Sequence, residues 1–217
     1  MSKIVIIGGH GKIALRLARI LTAEGNEVSS LIRNPDHEAD VRETGAAPVL
    51  ADVENLSTED IADKLRGHDA VVFSAGAGGG NPARTYAVDR DAAIRSIDAA
   101  QSAGVKRYVI VSYFGAGPDH GVPSDNSFFP YAEAKAAADE RLRASDLDWT
   151  ILGPSTLTED EPTGKIELGP NAEKSTVSRS DVAQVAAIVL DTPDTSGKTI
   201  EFNNGETPIS EAVASLR

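Results

Sequence analysis

Tyr131 and Lys135 stand four residues apart in a stretch, about Pro130 to Ala144, that reads as a helix. Residues at this spacing share one face, a single turn from each other. A phenol ordinarily ionises near ~10, which makes it a poor base at neutral pH. An ammonium held beside it favours the phenolate and lowers that value. The helix N-terminus, with Pro130 suited to its first turn, adds a positive partial charge in the same direction. The pair is therefore expected to serve as a general acid/base toward a carbinol or a carbonyl.

A second cluster of small residues points to a phosphate. Ile4 to Ile7 form a short, mostly β-branched run that reads as a strand buried on both faces. Gly8, Gly9, His10 and Gly11 follow at once, and the apolar pattern from Ile13 to Leu21 is helical. Glycines at a strand-to-helix turn let the backbone bend and approach a ligand with no Cβ in the way. The N–H groups opening the helix, at Lys12 and Ile13, favour an anion, and a diphosphate is the natural occupant. The spacing Gly8-x-x-Gly11-x-x-Ala14 is one residue longer in its first gap than the usual dinucleotide fingerprint. Lys135 is then also placed to hold the ribose of a nicotinamide.

Arg33 lies just past the second predicted strand, where a carboxylate would bind the adenosine ribose hydroxyls of NAD. An Arg there accommodates a 2′-phosphate, and its planar fork suits phosphate oxygens. Asp36, beyond Pro35, is the poorer ribose ligand, so NADP is expected and NAD is less favoured.

The elements that must position these groups alternate strand with helix, which predicts an α/β fold: a doubly wound, mostly parallel sheet with helices on both faces. Strands are expected at Ile4–Ile7, Glu27–Ile32, Pro48–Ala51, Ala70–Phe73, Arg107–Val111, Trp149–Leu152 and Thr199–Phe202, with short ones near Lys165–Leu168 and Ser175–Val177. Helices are expected at His37–Thr44, from Ser57 or Thr58 to Leu65, at Pro82–Ala103 with Gly104 as its stop, at Asp181–Leu190 and at Ile209–Leu216. The run from Ser74 to Gly80 follows the fourth strand, and a long loop from Phe114 to Ser127, of the kind often functional, follows the fifth. Open α/β sheets bind ligands at the carboxyl ends of their strands. Those ends carry Gly8–Gly11, Arg33, Asp52, Ser74–Gly76, Ser112 and Pro154. One site assembled from distant sequence is the consequence.

The chain has 217 residues, in keeping with a single domain over residues 1–217. A small substrate-side portion is expected at about 153–180 and 199–217. A net charge of -12 argues against nucleic acid and anionic membrane as partners. The absence of cysteine excludes thiol catalysis and disulfides. Four scattered histidines, His10, His37, His68 and His120, predict no metal site. With no signal-peptide pattern and no apolar run of about 20 residues, a cytoplasmic location is expected. The alanines from Ala132 to Ala138 suit close packing, either within the monomer or in a homodimer.

The sequence resembles the atypical, extended short-chain dehydrogenase/reductases, an NAD(P)-binding, epimerase-like group. The resemblance runs through Gly8–Ala14, Arg33-Asn34, Ala51-Asp52-Val53, Ser74-Ala75-Gly76, Val109–Ser112, Tyr131–Lys135 and Ser178–Ala183. It implies that Asp52 and Val53 contact adenine, that Ser74, Ala75 and Gly76 line the cofactor, and that Ser112, Tyr131 and Lys135 form a catalytic trio. Two departures stand out: Tyr113 occupies the place after Ser112 where the family often has a second Ser or Thr, and Gly153-Pro154 replaces an Arg-Pro pair. The missing Arg and the short stretch after Pro154 favour a small carbonyl compound over a nucleotide sugar. The expected function is thus an NADP-dependent oxidoreductase or epimerase-like enzyme, with Tyr131 as acid/base and Ser112 as a substrate hydrogen-bond donor. The alternative is a non-catalytic dinucleotide sensor.

Overall fold

The computed structural model describes residues 1–78, 80–169 and 174–216. Gly79 of the predicted glycine run, residues 170–173 of the predicted 153–180 portion, and residue 217 lie outside the described residues. The strands are β1 (Lys3–Ile7), β2 (Glu27–Ile32), β3 (Ala47–Leu50), β4 (Ala70–Phe73), β5 (Arg107–Val111), β6 (Asp148–Pro154), β7 (Thr156–Thr158), β8 (Lys165–Leu168), β9 (Thr176–Ser178), β10 (Lys198–Asn204) and β11 (Thr207–Pro208). The α-helices are α1 (Lys12–Ala23), α2 (Glu38–Arg42), α3 (Thr58–Leu65), α4 (Pro82–Thr85), α5 (Ala93–Ala103), α6 (Phe129–Arg143), α7 (Arg179–Leu190) and α8 (Ile209–Ala214).

One sheet runs in the order β11-β8-β10-β6-β5-β4-β1-β2-β3. From β3 across to β10 every pairing is parallel, and β8 and β11 add an antiparallel edge. This is the doubly wound α/β fold expected from the alternation of elements. The strand order reverses between β1 and β4, the position at which such sheets hold ligands.

Alternation along the central strands feeds two cores. Ile4 and Ile6 of β1, Val72 of β4 and Val109 of β5 pack with Leu17 and Leu21 of α1 and Val182 and Val189 of α7. Val5 and Ile7, Val71 and Phe73, and Ile110 pack on the other face with Ile61 and Leu65 of α3, Ile97 of α5 and Leu142 of α6. Burial on both faces is the reason these strands read as continuous apolar runs.

Local signals set the helix ends. Ser57 caps α3 through a reciprocal box with Asp60. Gly104 closes α5 with a left-handed φ of 76°. The predicted helix from Pro82 to Ala103 contains a π-helical stretch over Tyr86–Ala92, which the sequence pattern did not reveal. Residues 37–44 form a shorter helix than expected, entered through a 3-10 turn at Pro35–His37. Ala132, Ala134, Ala136 and Ala138 of the alanine-rich segment are buried within the monomer.

Candidate active site

The turn between β1 and α1 is built by three glycines with different duties. Gly8 has φ of 82°, and a Cβ on it would lie 2.5 Å from the Ala75 Cα. A Cβ on Gly9 would lie 2.4 Å from the Ser30 Cβ, so Gly9 serves the packing of the turn on β2, to which it donates at Leu31 O (2.9 Å). Gly11 has an ordinary extended backbone and is the N-cap of α1, with no side chain capping the helix and no acidic residue in its first turn. The positive end of α1 is therefore left for an external anion.

That turn opens onto a cavity of about 290 Å³, lined by Gly8, His10 and Gly11, by Arg33, by Asp52 and Val53, and by Ser74, Ala75 and Gly76. Nine of the residues expected to bind a cofactor thus meet at one place. Of the other six, Ile13 and Lys135 line the adjoining cavity described below, and four line neither. Gly9 faces β2, and the Lys12 ammonium pairs with Glu159 at 2.9 Å. The Asn34 side chain accepts from Asp36 N at 3.1 Å. Pro154 is buried at the end of β6, and its carbonyl accepts from Phe114 N at 2.9 Å.

The wall near Arg33 also holds three groups that sequence spacing did not single out. Glu54 Oε2 lies 3.5 Å from Arg33 Nη1 and 3.3 Å from Arg84 Nε, so one carboxylate gathers two guanidinium groups. Arg84 also donates to the Ala77 carbonyl at 3.1 Å. The rings of His10 and His37 stack with centroids 3.5 Å apart, and His10 Nε2 lies 2.7 Å from Asp40 Oδ2. Glu54, Arg84 and His37 come from separate turns, which is why no local motif marked them.

A second cavity, of about 260 Å³, shares Ser74 to Ala77 with the first. Ile13, Asp89, Ser112, Tyr131 and Lys135 are on its walls. The three residues of the expected catalytic trio therefore border one space, continuous with the glycine turn. Beyond Tyr131 a third cavity, of about 680 Å³, is walled by Asn81, Pro82, Thr85, Phe128 and Pro130. It carries no charged side chain among its described lining residues. The Tyr131 ring packs against Tyr113 (5.6 Å between centroids) and Phe128 (5.2 Å). Tyr113, in the place of the family's frequent second hydroxyl residue, has a buried hydroxyl with no partner, and burial pushes its phenol up to about 12.

Lys135 is 1% exposed, and its ammonium donates to the Val111 carbonyl at 2.7 Å. Two buried carboxyls face this cation: Asp89 from the π-helical stretch and Asp139 from the next turn of α6. Burial lowers the Lys135 pKa, and Asp139 and Asp89 oppose that fall. Burial likewise raises both carboxyls, with Lys135 opposing. Asp89 accepts from Ala77 N at 3.0 Å. Ser112 Oγ lies 2.6 Å from Asp139 Oδ2, and the other Asp139 oxygen has no partner.

The expected activation of Tyr131 by Lys135 is corrected by these surroundings. Burial pushes the Tyr131 phenol up, and Asp89, Asp139 and Tyr113 push it in the same direction. Desolvation, the largest influence, prevails over the cation one turn away, so the phenol keeps its proton at neutral pH. No group of three or more His, Asp or Glu side chains that could hold a metal occurs among the described residues. Nor is any described helix long and apolar enough to cross a membrane.

An NAD(P)H-binding family model matches residues 8–193. A Bacillus subtilis protein named as an uncharacterized sugar epimerase, YhfK, is 35% identical, with 99% of this chain and 100% of that protein aligned. A solved structure from Bacillus halodurans, assigned as an NAD-dependent epimerase/dehydratase, superposes with a TM-score of 0.91 at 34% identity, covering 99% of this chain and 100% of the other. The oxidoreductase ylbE from Lactococcus lactis superposes at 0.88 with 30% identity, over 99% and 96% of the two chains.

Proposed function

The chain belongs to the NAD(P)H-binding family, and on that premise we propose that it is an NADP-dependent oxidoreductase that reduces a small carbonyl compound. The observation that carries this reading is the single groove in which the glycine turn leads directly to Tyr131, Lys135 and Ser112. The residues fit a dinucleotide. The uncapped α1 N-terminus suits its diphosphate, and Asp52 and Val53 border the adenosine end. Arg33, with Arg84 near it, suits a 2′-phosphate. Lys135 suits the nicotinamide ribose. Bound in this groove, a reduced nicotinamide supplies a hydride.

The chain's own part is to bind, orient and protonate. A phenol that holds its proton at neutral pH is a donor, so Tyr131 serves a carbonyl that becomes an alcohol better than it serves an alcohol to be oxidised. The direction favoured is reduction. Ser112 holds the carbonyl oxygen beside Tyr131. The uncharged, aromatic-walled cavity beyond Tyr131 suits a neutral substrate, in which Phe128 and Tyr131 offer ring faces.

A panel of carbonyl compounds with NADPH, followed at the nicotinamide absorbance, tests the proposal. Turnover of at least one neutral carbonyl, with NADPH bound more tightly than NADH, is the expected result. Tight dinucleotide binding with no turnover across the panel would overturn the enzyme in favour of a sensor.

A further inference from the structure

Three buried ionisable groups meet at the groove, Lys135 and Asp89 on its wall and Asp139 behind Ser112, and their charges do not balance. Lys135 brings one positive charge, while Asp89 and Asp139 would bring two negative charges if both ionised. Two carboxylates around one ammonium leave an uncompensated buried charge, which a protein relieves by keeping one proton. The hydrogen bonds decide which carboxyl holds it. Asp89 accepts from the Ala77 backbone N–H, and neither of its oxygens is among the described buried side-chain atoms without a partner. Asp89 also lines the groove, where the Ala77 N–H and Arg84 favour its ionised form against the burial that opposes it. Asp139 faces a hydroxyl instead, and a hydroxyl serves a 2.6 Å contact equally well as donor or acceptor. Its other oxygen is buried with no partner at all, an arrangement that costs far more for a carboxylate than for a neutral acid.

We propose, building on the reductase reading above, that Asp139 is a neutral carboxylic acid in the folded protein and a positioning residue for Ser112. Its O–H donates to Ser112 Oγ, and the Ser112 hydrogen is thereby turned toward the groove, where it meets the substrate carbonyl oxygen. An ionised Asp139 would accept the Ser112 hydrogen and withdraw it from the substrate. The groups that face Asp139 are Lys135 and Arg143 on α6, Ser112 at the end of β5, and the phenols of Tyr113 and Tyr131. Lys135, a hydrogen bond donated by Ser112, and Arg143 favour ionisation, and burial, the largest influence, opposes it. A neutral Asp139 also leaves a single carboxylate, Asp89, to balance Lys135.

Isotope-edited infrared spectroscopy with carbonyl-labelled aspartate reads the protonation state without turnover. The expected result is a protonated-carboxyl band at pH 7 that shifts in Ser112→Ala, because its O–H contacts Ser112 Oγ, and disappears in Asp139→Asn. No such band in the unmodified protein, or one that ignores Ser112→Ala, would overturn the proposal. Turnover gives a second reading. An amide can still donate to Ser112, so Asp139→Asn should keep at least tenfold more turnover than Asp139→Ala at equal NADPH affinity. Equal losses in the two variants would count against the positioning role. If no carbonyl is turned over, the infrared result stands by itself, so failure of the reductase reading and failure of this one are separable.

Discussion

The Lys135 ammonium donates a 2.7 Å hydrogen bond to the carbonyl of Val111, the last residue of β5, and so ties α6 to the carboxyl edge of the sheet. The same ammonium faces the buried carboxyls Asp89 and Asp139 and is the counter-charge of their cluster. Lys135→Met removes the cation and leaves the carboxyls without it. Removing one partner of a buried ion pair costs about 3–5 kcal/mol. Urea denaturation should show a loss of that order at pH 8 and a smaller one at pH 5, where the carboxyls of the variant take up protons. A variant as stable as the unmodified protein at pH 8 would contradict the buried charge cluster.

Gly8 and Gly11 should fail in different ways. Gly8→Ala forces a side chain into a left-handed backbone and against Ala75, so the folded state should lose at least about 1–3 kcal/mol. Gly11→Ala meets an ordinary backbone, with the nearest atom, Gly8 O, 3.1 Å from the new Cβ. It should fold and yet bind dinucleotide weakly, because the added methyl stands at the mouth of the anion site. Calorimetric titration with NADPH together with thermal denaturation separates the two effects. Undiminished binding by Gly11→Ala would contradict the phosphate cradle.

On the proposed reading, Arg33 and Glu54 would set the preference between cofactors. Arg33→Ala should weaken NADPH by the worth of one charge-assisted hydrogen bond, about 1.5–3 kcal/mol, and leave NADH nearly unchanged. Glu54→Gln should act oppositely, since the carboxylate that engages Arg33 and Arg84 would repel a 2′-phosphate. Dissociation constants for both dinucleotides check this. Parallel changes for NADPH and NADH in Arg33→Ala would rule out a 2′-phosphate role.

The acid form of Tyr131 should persist across the working range. Its phenol is held above the ordinary value near ~10, so its proton is retained from pH 6 to pH 9. Carbonyl reduction should show no loss attributable to Tyr131 in that window and should fall only at higher pH. A descending limb between pH 7 and 8 that Tyr131→Phe abolishes would mean that Lys135 dominates after all.

The parallel strands were legible because a strand buried on both faces leaves an unbroken apolar run. Glu27–Ile32 and Ala70–Phe73 coincide with the expected limits. The meeting of Gly8, Gly11, Arg33 and Ser74 at one cavity was legible because strand ends in such a sheet must converge. Asp139 was not. It sits between an alanine run and Glu140, and no amphipathic stripe in α6 marks it as buried. Asp89 was hidden for a related reason: the π-helical stretch changes which residues of Pro82–Ala103 face inward. The altered direction of the Tyr131 shift follows from both. Spacing placed a cation four residues away, and only the tertiary structure supplied the burial, with Asp89 beside it, that outweighs it.

Single-turnover oxidation of NADPH by Tyr131→Phe, beside the unmodified protein and with a carbonyl substrate identified from the panel, tests the assignment of Tyr131 most directly. The phenylalanine keeps the ring packing on Tyr113 and Phe128 and removes only the proton donor. NADPH affinity should be unchanged, and the rate of the chemical step should fall about 10²–10⁴-fold. A Tyr131→Phe variant that oxidises NADPH at the unmodified rate would contradict Tyr131 as the acid.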